Sequence, residues 1–262
     1  MSAPSSLRRF PGVRPAAWLF FAYLYIPIIV LLALAFNAGS SATIWEGFST
    51  KWFGIVLGNP NIIRAAQNSL IVAVSASLLA TVMAIPAAIG MARRSFRGQN
   101  AVSAVIAMPL VVPEVVTAVA TLLFFTAITL PLGLLTIILA HTVFCIPFAY
   151  LPIRARLEGM DRSLAEAAAD LYATPWQSFR RVTLPLLWPG ILSGLMLAFI
   201  ISLDDFVITF FVSGAGATTL PIYIYGMIRI GVTPEVNAIS ALMLAVSIVF
   251  VALSWAVGRM RQ

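Results

Sequence analysis

Six apolar stretches, each long enough to cross a lipid bilayer, constrain this chain more than any other feature of its sequence. A helix needs roughly 20 predominantly apolar residues to span the hydrocarbon core. In lipid the backbone groups must be hydrogen-bonded within the protein, so spans of this kind form helices and the predicted fold class is an all-α membrane protein. The predicted spans run approximately from Ala16 to Phe36, Ser69 to Ala92, Ala101 to Ile128, Leu132 to Ile153, Leu186 to Leu203 and Val236 to Val257.

The composition fits a chain whose solvent is mostly lipid. Hydrophobic residues make up 61% of the 262 residues, and charged residues only 10%. A net charge of +7 is a feature of many nucleic-acid-binding proteins, but here the basic residues lie between the spans and not on one continuous face. We therefore predict a lipid environment and no nucleic-acid partner.

The basic residues are divided unevenly between the two sides of the predicted spans. With the N-terminus in the cytoplasm, only Lys51, Arg64 and Arg229 of the 16 basic residues fall outside. Because Lys and Arg near span ends resist translocation, we predict that both termini are cytoplasmic. Residues 1–15 then form an N-terminal tail and residues 16–262 a single transmembrane domain.

A polar, helix-prone segment at about 154–185 separates the fourth and fifth predicted spans. Ser163 to Glu166 has the pattern of a capping box, in which a hydroxyl and a carboxylate bind the free amides at a helix start. An alanine-rich helix over about Leu164–Leu171 is expected to follow. Ala167 and Ala168 make one side of this helix thin, which would let its backbone approach a partner closely.

The segment resembles the cytoplasmic coupling loop, or EAA loop, of the membrane-spanning subunits of bacterial ABC importers. Tyr172 departs from the pattern, since the family usually has Gly there. In that family the loop forms a helix seated in a cleft of an ATPase subunit. The resemblance therefore assigns coupling to Glu166, Ala167, Ala168, Asp170 and Tyr172. The matching positions are Glu166, Ala167, Ala168, Phe179, Val182, Leu184, Pro185, Pro189 and Gly190.

The resemblance implies a six-helix permease with the ABC type I importer fold, in a bacterial inner membrane. It also implies four kinds of association: a homologous second permease, two ATPase subunits, an extracytoplasmic solute-binding protein and a transported solute. The chain has no Gly-rich loop followed by Lys and Ser or Thr, so it has no phosphate cradle of its own. We expect no catalytic residue and no cofactor in this chain, with ATP and Mg²⁺ bound by the partner ATPase.

The single histidine and single cysteine do not predict a metal or redox site. His141 has no second His or Cys at ligand spacing, and Cys145 has no cysteine with which to form an intrachain disulfide. We therefore expect His141 to be a packed or hydrogen-bonded helix residue.

Three acidic residues, Glu114, Asp204 and Asp205, lie within apolar stretches. A carboxylate at the bilayer centre costs roughly 2.5 to 3.5 kcal/mol on insertion scales. Counting along continuous helices places all three in the outer half of the bilayer. A helix dipole does not account for Asp204 and Asp205, because they close the C-terminal end of a span. We predict that these acids line a path for a cation; the alternative is a pair at the boundary, in water or paired with Arg229.

A second resemblance covers the chain from about Pro109 onward. The runs Ser202–Gly214, Thr218–Pro221 and Gly231–Ala238 are similar to the second permease of spermidine/putrescine importers. This implies a polyamine substrate, which suits acidic groups and aromatic faces. Related subfamilies carry ferric iron, thiamine, phosphonates or opines, so these substrates stay open. The competing class is a stand-alone secondary carrier, with Glu114 or Asp204 as its ion site.

Overall fold

The structure is a computed structural model that describes residues 12–93, 96–161, 163–231 and 233–259. Residues 1–11, which form most of the predicted tail, lie outside the described residues, as do Arg94, Arg162 and Arg261. Regular structure in the described chain is helical apart from an isolated bridge between Asn37 and Phe48. The helices are α1 (Val13–Ala35), α2 (Lys51–Gly58), α3 (Pro60–Arg93), α4 (Gln99–Val111), α5 (Glu114–Ala127), α6 (Leu134–Glu158), α7 (Ser163–Asp170), α8 (Pro175–Ser178), α9 (Leu184–Asp204), α10 (Val207–Val212), α11 (Leu220–Ile230) and α12 (Pro234–Arg259).

Five of the six predicted spans appear as helices of spanning length. They are α1, α3, α6, α12 and a run from Pro175 to Asp204, in which a π-helical stretch, Phe179–Thr183, joins α8 to α9. Each is apolar enough over 18 residues to cross a membrane. The all-α membrane fold expected from the sequence is confirmed.

The third predicted span, Ala101–Ile128, is not one continuous helix. It consists of α4 and α5, which are bent by 109° at the break between them. Pro113 has no N–H to donate to the preceding turn and also disfavours helical geometry at Val112. Both residues have extended backbones, with ψ values of 132° and 133°. The third span is therefore a bent pair of helices, and the depth of Glu114 counted along one continuous helix does not apply.

The described residues form two compact units. One contains residues up to Pro60 together with Gly226–Ala245, and the other contains Asn61–Tyr225 together with residues from Val246 onward.

In the first unit, a loop after α1 is organised around Asn37, which is fully buried. Its Nδ2 donates to the carbonyls of Ser41 at 2.9 Å and Ile44 at 2.6 Å, and its Oδ1 accepts from the Glu46 amide at 2.8 Å. Asn237 in α12 donates to the Ala42 carbonyl at 3.0 Å. The buried amide side chains of Asn37 and Asn237 thus supply hydrogen-bond partners for backbone groups of a loop that lacks regular strand pairing.

In the second unit, α6 and α9 pack closely because small residues line their contact. A Cβ added to Gly194 would lie 2.5 Å from the Ala149 carbonyl oxygen, so the helix backbones nearly touch there. Helix α3 contributes small buried residues at helical spacing: Ala73, Ala76, Ala80, Ala84 and Ala88. Packing against small residues is the usual way in which helices associate in lipid, where burial of apolar surface gives little driving force.

We expect Gly194→Ala to destabilise the folded chain by about 1–3 kcal/mol, since the added methyl forces α6 and α9 apart. Gly90→Ala is the matched control, because a Cβ there meets no atom within 4 Å. Thermal unfolding of the two purified variants in detergent measures the difference. Equal melting temperatures would show that the close approach of α6 and α9 contributes nothing to stability.

Candidate functional site

A cavity of about 350 Å³ lies in the second unit, where the ends of α5, α9 and α10 meet the middle of α6. All three acids singled out in the sequence line it, so the structure brings them together. Three phenylalanines and three aliphatic residues complete the wall. The lining residues are Glu114, Phe144, Phe148, Ile200, Ile201, Asp204, Asp205, Phe206 and Val207.

Two helix breaks, one between α4 and α5 and one between α9 and α10, place acids at this cavity. Glu114 is the first residue of α5, directly after the break at Pro113. Asp204 is the last residue of α9, and Asp205 follows it with an extended backbone at ψ 126°. A carboxylate at a helix N-terminus is stabilised by the free amides and the dipole there, which explains the position of Glu114.

Asp205 caps the short helix α10. Its Oδ1 accepts from the Thr209 amide at 2.9 Å and from Thr209 Oγ1 at 3.0 Å, and its Oδ2 accepts from the Ile208 amide at 3.4 Å. The sequence argument that no helix dipole favours this acid was wrong for Asp205, because a new helix begins two residues later. Asp205 is also only 7% exposed, so it is not a boundary residue in water.

His141, in the middle of α6, is a further partner of Asp205. Its Nε2 lies 3.0 Å from Asp205 Oδ1 and 2.8 Å from Thr209 Oγ1, and its Nδ1 lies 2.7 Å from Ser202 Oγ. His141 is thus the hydrogen-bonded helix residue that the sequence predicted. Its pairing with Asp205 was missed, although a histidine inside an apolar span needs a polar partner and few were available.

Glu114 and Asp204 have different surroundings from Asp205. Glu114 is half-buried and lines the same cavity as Asp205, whereas Asp204 is exposed along the cavity wall. Carboxylates facing each other in a low-dielectric site repel unless a proton or a cation lies between them. Phenyl faces attract cations and also pack against methylene groups. The cavity is therefore chemically suited to an organic cation.

The coupling segment contains the predicted helix, as α7, but its first amides are capped differently from the prediction. The Ser163 amide, which a capping box directs to Glu166, donates to Asp161 Oδ1 at 2.9 Å. This hydrogen bond lowers the pKa of the Asp161 carboxyl below its usual value. A capping box does form at the start of α8, between Thr174 and Gln177.

Tyr172 forms the turn after α7 in the left-handed conformation, with φ at 57°. The Ala173 amide donates to the Ala168 carbonyl at 3.0 Å, the bond of a Schellman motif. Tyrosine therefore makes the turn for which the family uses glycine, at a cost of about 1–2 kcal/mol. The side chain of Tyr172 is 94% exposed, and those of Leu171 and Trp176 are 82% and 66% exposed.

The other coupling residues divide between surface and interior. Glu166, Ala167 and Asp170 are exposed, whereas Ala168 is buried. Helix α7 packs against α8 and the π-helical stretch, and these cover one of its faces. The expectation that both alanines are accessible to a partner is therefore wrong for Ala168, which is buried, whereas Ala167 is exposed.

The chain is similar to curated transport proteins over most of its length. It is 43% identical to the putrescine transport system permease protein PotI of Escherichia coli (strain K12), over 87% of this chain and 84% of that protein. It is 37% identical to the spermidine/putrescine transport system permease protein PotC of the same strain, over 91% and 90%. PotC of Haemophilus influenzae is 40% identical, over 91% of this chain and 93% of that protein.

Two solved structures share the fold. A chain of a bacterial ABC transporter involved in the import of the acidic polysaccharide alginate matches with a TM-score of 0.71 at 17% identity, over 98% of this chain and 99% of that one. A chain of the inward-facing MetNI methionine ABC transporter matches with a TM-score of 0.65 at 22% identity, over 76% and 95%. In addition, residues 84–262 match the family described as binding-protein-dependent transport system inner membrane component. The chain therefore belongs to this family and is a permease subunit with the fold of ABC importers.

Proposed function

We propose that this permease carries a polyamine such as putrescine or spermidine, and that the cavity between α5, α6, α9 and α10 forms part of its path. The observation that supports the proposal is a cavity that combines three carboxyl groups with three phenyl rings. A protonated polyamine carries ammonium groups separated by methylene segments, and these match the acids and the rings respectively. The curated relatives described above are themselves permeases of spermidine or putrescine transport systems.

The three acids have different roles in this proposal. Asp205 is held by α10 and His141, so it is a fixed part of the wall. Glu114 and Asp204 lie along the cavity with fewer described hydrogen bonds and pair directly with the ammonium groups. The pairing is strong because a carboxylate in a low-dielectric site gains much more from a nearby cation than it does in water.

The chemistry of the cavity argues against two of the other solutes, phosphonates and ferric iron. Phosphonates are anions, and three carboxyl groups repel them. Ferric iron would bind the carboxyl oxygens alone and would leave the three phenyl rings of the lining without a role. A stand-alone ion-coupled carrier is a separate class from the permease family to which this chain belongs.

Transport by this chain requires partners. In the proposal a homologous permease completes the path, two ATPase subunits bind ATP and Mg²⁺, and an extracytoplasmic receptor delivers the solute. The ATPase docks on the coupling segment, where Glu166, Ala167 and Asp170 are exposed beside the exposed aromatic rings of Tyr172 and Trp176. Aromatic residues with exposed faces are enriched at protein interfaces.

The first prediction from this proposal concerns two acids of the cavity, Glu114 and Asp204. Asp204→Asn and Glu114→Gln should each raise the half-saturating polyamine concentration about tenfold, since each removes one charge-assisted hydrogen bond. The rise should be larger for spermidine, which carries more charge than putrescine. Uptake into proteoliposomes containing the complete transporter measures it.

Glu46→Gln is the control for charge removal, because Glu46 is an exposed acid in the loop after α1. Its uptake should match that of the parental protein. If the two pocket variants also transport both polyamines with parental half-saturation, the acids do not bind the cation and the polyamine assignment loses its structural support.

The second prediction concerns the docking surface. Ala167→Trp should reduce co-purification of the ATPase at least about fivefold, because a bulky ring on the exposed side of α7 prevents close approach. Thr50→Trp is the control: Thr50 is exposed, makes no side-chain capping bond, and lies in the loop preceding α2. Retention of the ATPase by both variants at equal permease abundance would place the docking surface elsewhere.

The third prediction concerns orientation. We infer that both termini are cytoplasmic, from the distribution of basic residues in the sequence. The only native cysteine, Cys145, is buried, so a cysteine introduced at Gln262 can be labelled against a low background. An impermeant maleimide should label it in broken cells and not in intact ones; labelling in intact cells would reverse the topology.

A further inference from the structure

His141 joins three helices beneath the cavity without lining it. It lies on α6, and its ring contacts Ser202 on α9, Thr209 on α10 and Asp205 between them. It is 1% exposed. Polar atoms so deeply buried in a membrane protein need a reason, and the proposed function uses His141 only as a support for Asp205.

The direction of each hydrogen bond follows from the chemistry of the groups. An ionised carboxylate only accepts, so Nε2 of His141, which lies 3.0 Å from Asp205 Oδ1, carries the hydrogen of the ring. The Thr209 hydroxyl donates to Oδ1 at 3.0 Å and accepts from Nε2 at 2.8 Å, so the single Nε2 hydrogen lies between Thr209 Oγ1 and Asp205 Oδ1. The Ser202 hydroxyl lies at Nδ1, where it fixes the rotation of the imidazole ring.

These bonds leave the two oxygens of Asp205 in unequal surroundings. Oδ1 faces three donors: the Thr209 amide, the Thr209 hydroxyl and His141. Among the described hydrogen bonds, Oδ2 takes part in one, a long contact of 3.4 Å from the Ile208 amide. Oδ2 is therefore the oxygen with capacity to spare for a group inside the cavity.

We propose that His141 is a positioning residue for substrate recognition: by holding Oδ1 it turns Oδ2 of Asp205 toward the cavity and fixes the α9–α10 break that carries Asp204 and Phe206. The inference rests on the proposed polyamine function and adds a residue that never touches the substrate. Its effect passes through the orientation of the acids. A side chain that only fills space would contribute to folding but not to the affinity for a cation.

Two substitutions separate these roles because each keeps one of the two imidazole contacts. The amide of His141→Gln reaches about as far as Nε2 and keeps a donor for Asp205. The amide of His141→Asn reaches about as far as Nδ1, so it keeps the contact with Ser202 and loses the donor. Thr142→Val is the matched control on the next residue of α6, since the Thr142 hydroxyl bonds only within its own helix, to the Ile138 carbonyl.

The experiment measures uptake of putrescine and spermidine by the complete transporter in proteoliposomes, with the permease quantified in each preparation. We expect His141→Asn to raise the half-saturating concentration about tenfold, the loss of one hydrogen bond to a charged group. The maximal rate per transporter should change by less than about twofold, as expected for lost binding. His141→Gln and Thr142→Val should keep parental half-saturation within about twofold.

Equal half-saturation for the Asn and Gln variants overturns the assignment of His141 while leaving the polyamine proposal intact. A parental complex that takes up neither polyamine overturns both. If His141→Asn does not accumulate, Thr209→Val and Thr209→Ser test the same oxygen: Val removes a donor to Oδ1 and Ser retains it. The positioning role then requires weaker half-saturation for Val than for Ser, and equal values overturn it.

Discussion

The need to supply partners for charged and backbone groups away from water governs how this chain is built. In lipid an unpaired amide or carboxylate is costly, so acids inside a span must lie where donors are free. Helix ends are such places, because their first amides have no partner in the helix. The helical chain is interrupted between α4 and α5 and again between α9 and α10. Each interruption places acids beside the start of the next helix. The same interruptions that create free amides thus create an acidic cavity.

Small residues let the helices around these breaks pack closely. Gly194 lets α9 approach the α6 backbone, and the alanines of α3 are fully buried. His141 lies on the same α6 and reaches both sides of the α9–α10 break. His141 contacts Asp205 and lies on the helix that packs against α9, so the position of Asp205 depends on this apolar packing as well as on charge.

Local patterns in the sequence predicted the spans, the helical coupling segment and the candidate acids. Apolar length alone is enough for the spans, since a helix is the structure that satisfies a lone backbone segment in lipid. Pro113 indicates an interruption of the helix inside Ala101–Ile128. A proline in a membrane helix can also produce only a kink, so the size of the bend, 109°, depends on tertiary packing. The pairing of His141 with Asp205 joins residues on different helices, and no local pattern specifies it. The left-handed turn at Tyr172 was indicated only by its position, where the resembling family usually has Gly, because tyrosine itself carries no signal for that conformation.

The bend between α4 and α5 has a geometric consequence for any movement of the bundle. Glu114 lies at the vertex of two arms, and a vertex hardly changes place when either arm pivots about it. The far end of the 14-residue arm α5 lies about 21 Å from the vertex, at about 1.5 Å per residue. A pivot of about 10° moves that end by roughly 4 Å. A carboxyl group at the vertex can therefore keep its position relative to a bound cation. The distal ends of the arms meanwhile move through distances comparable to the width of an aromatic ring.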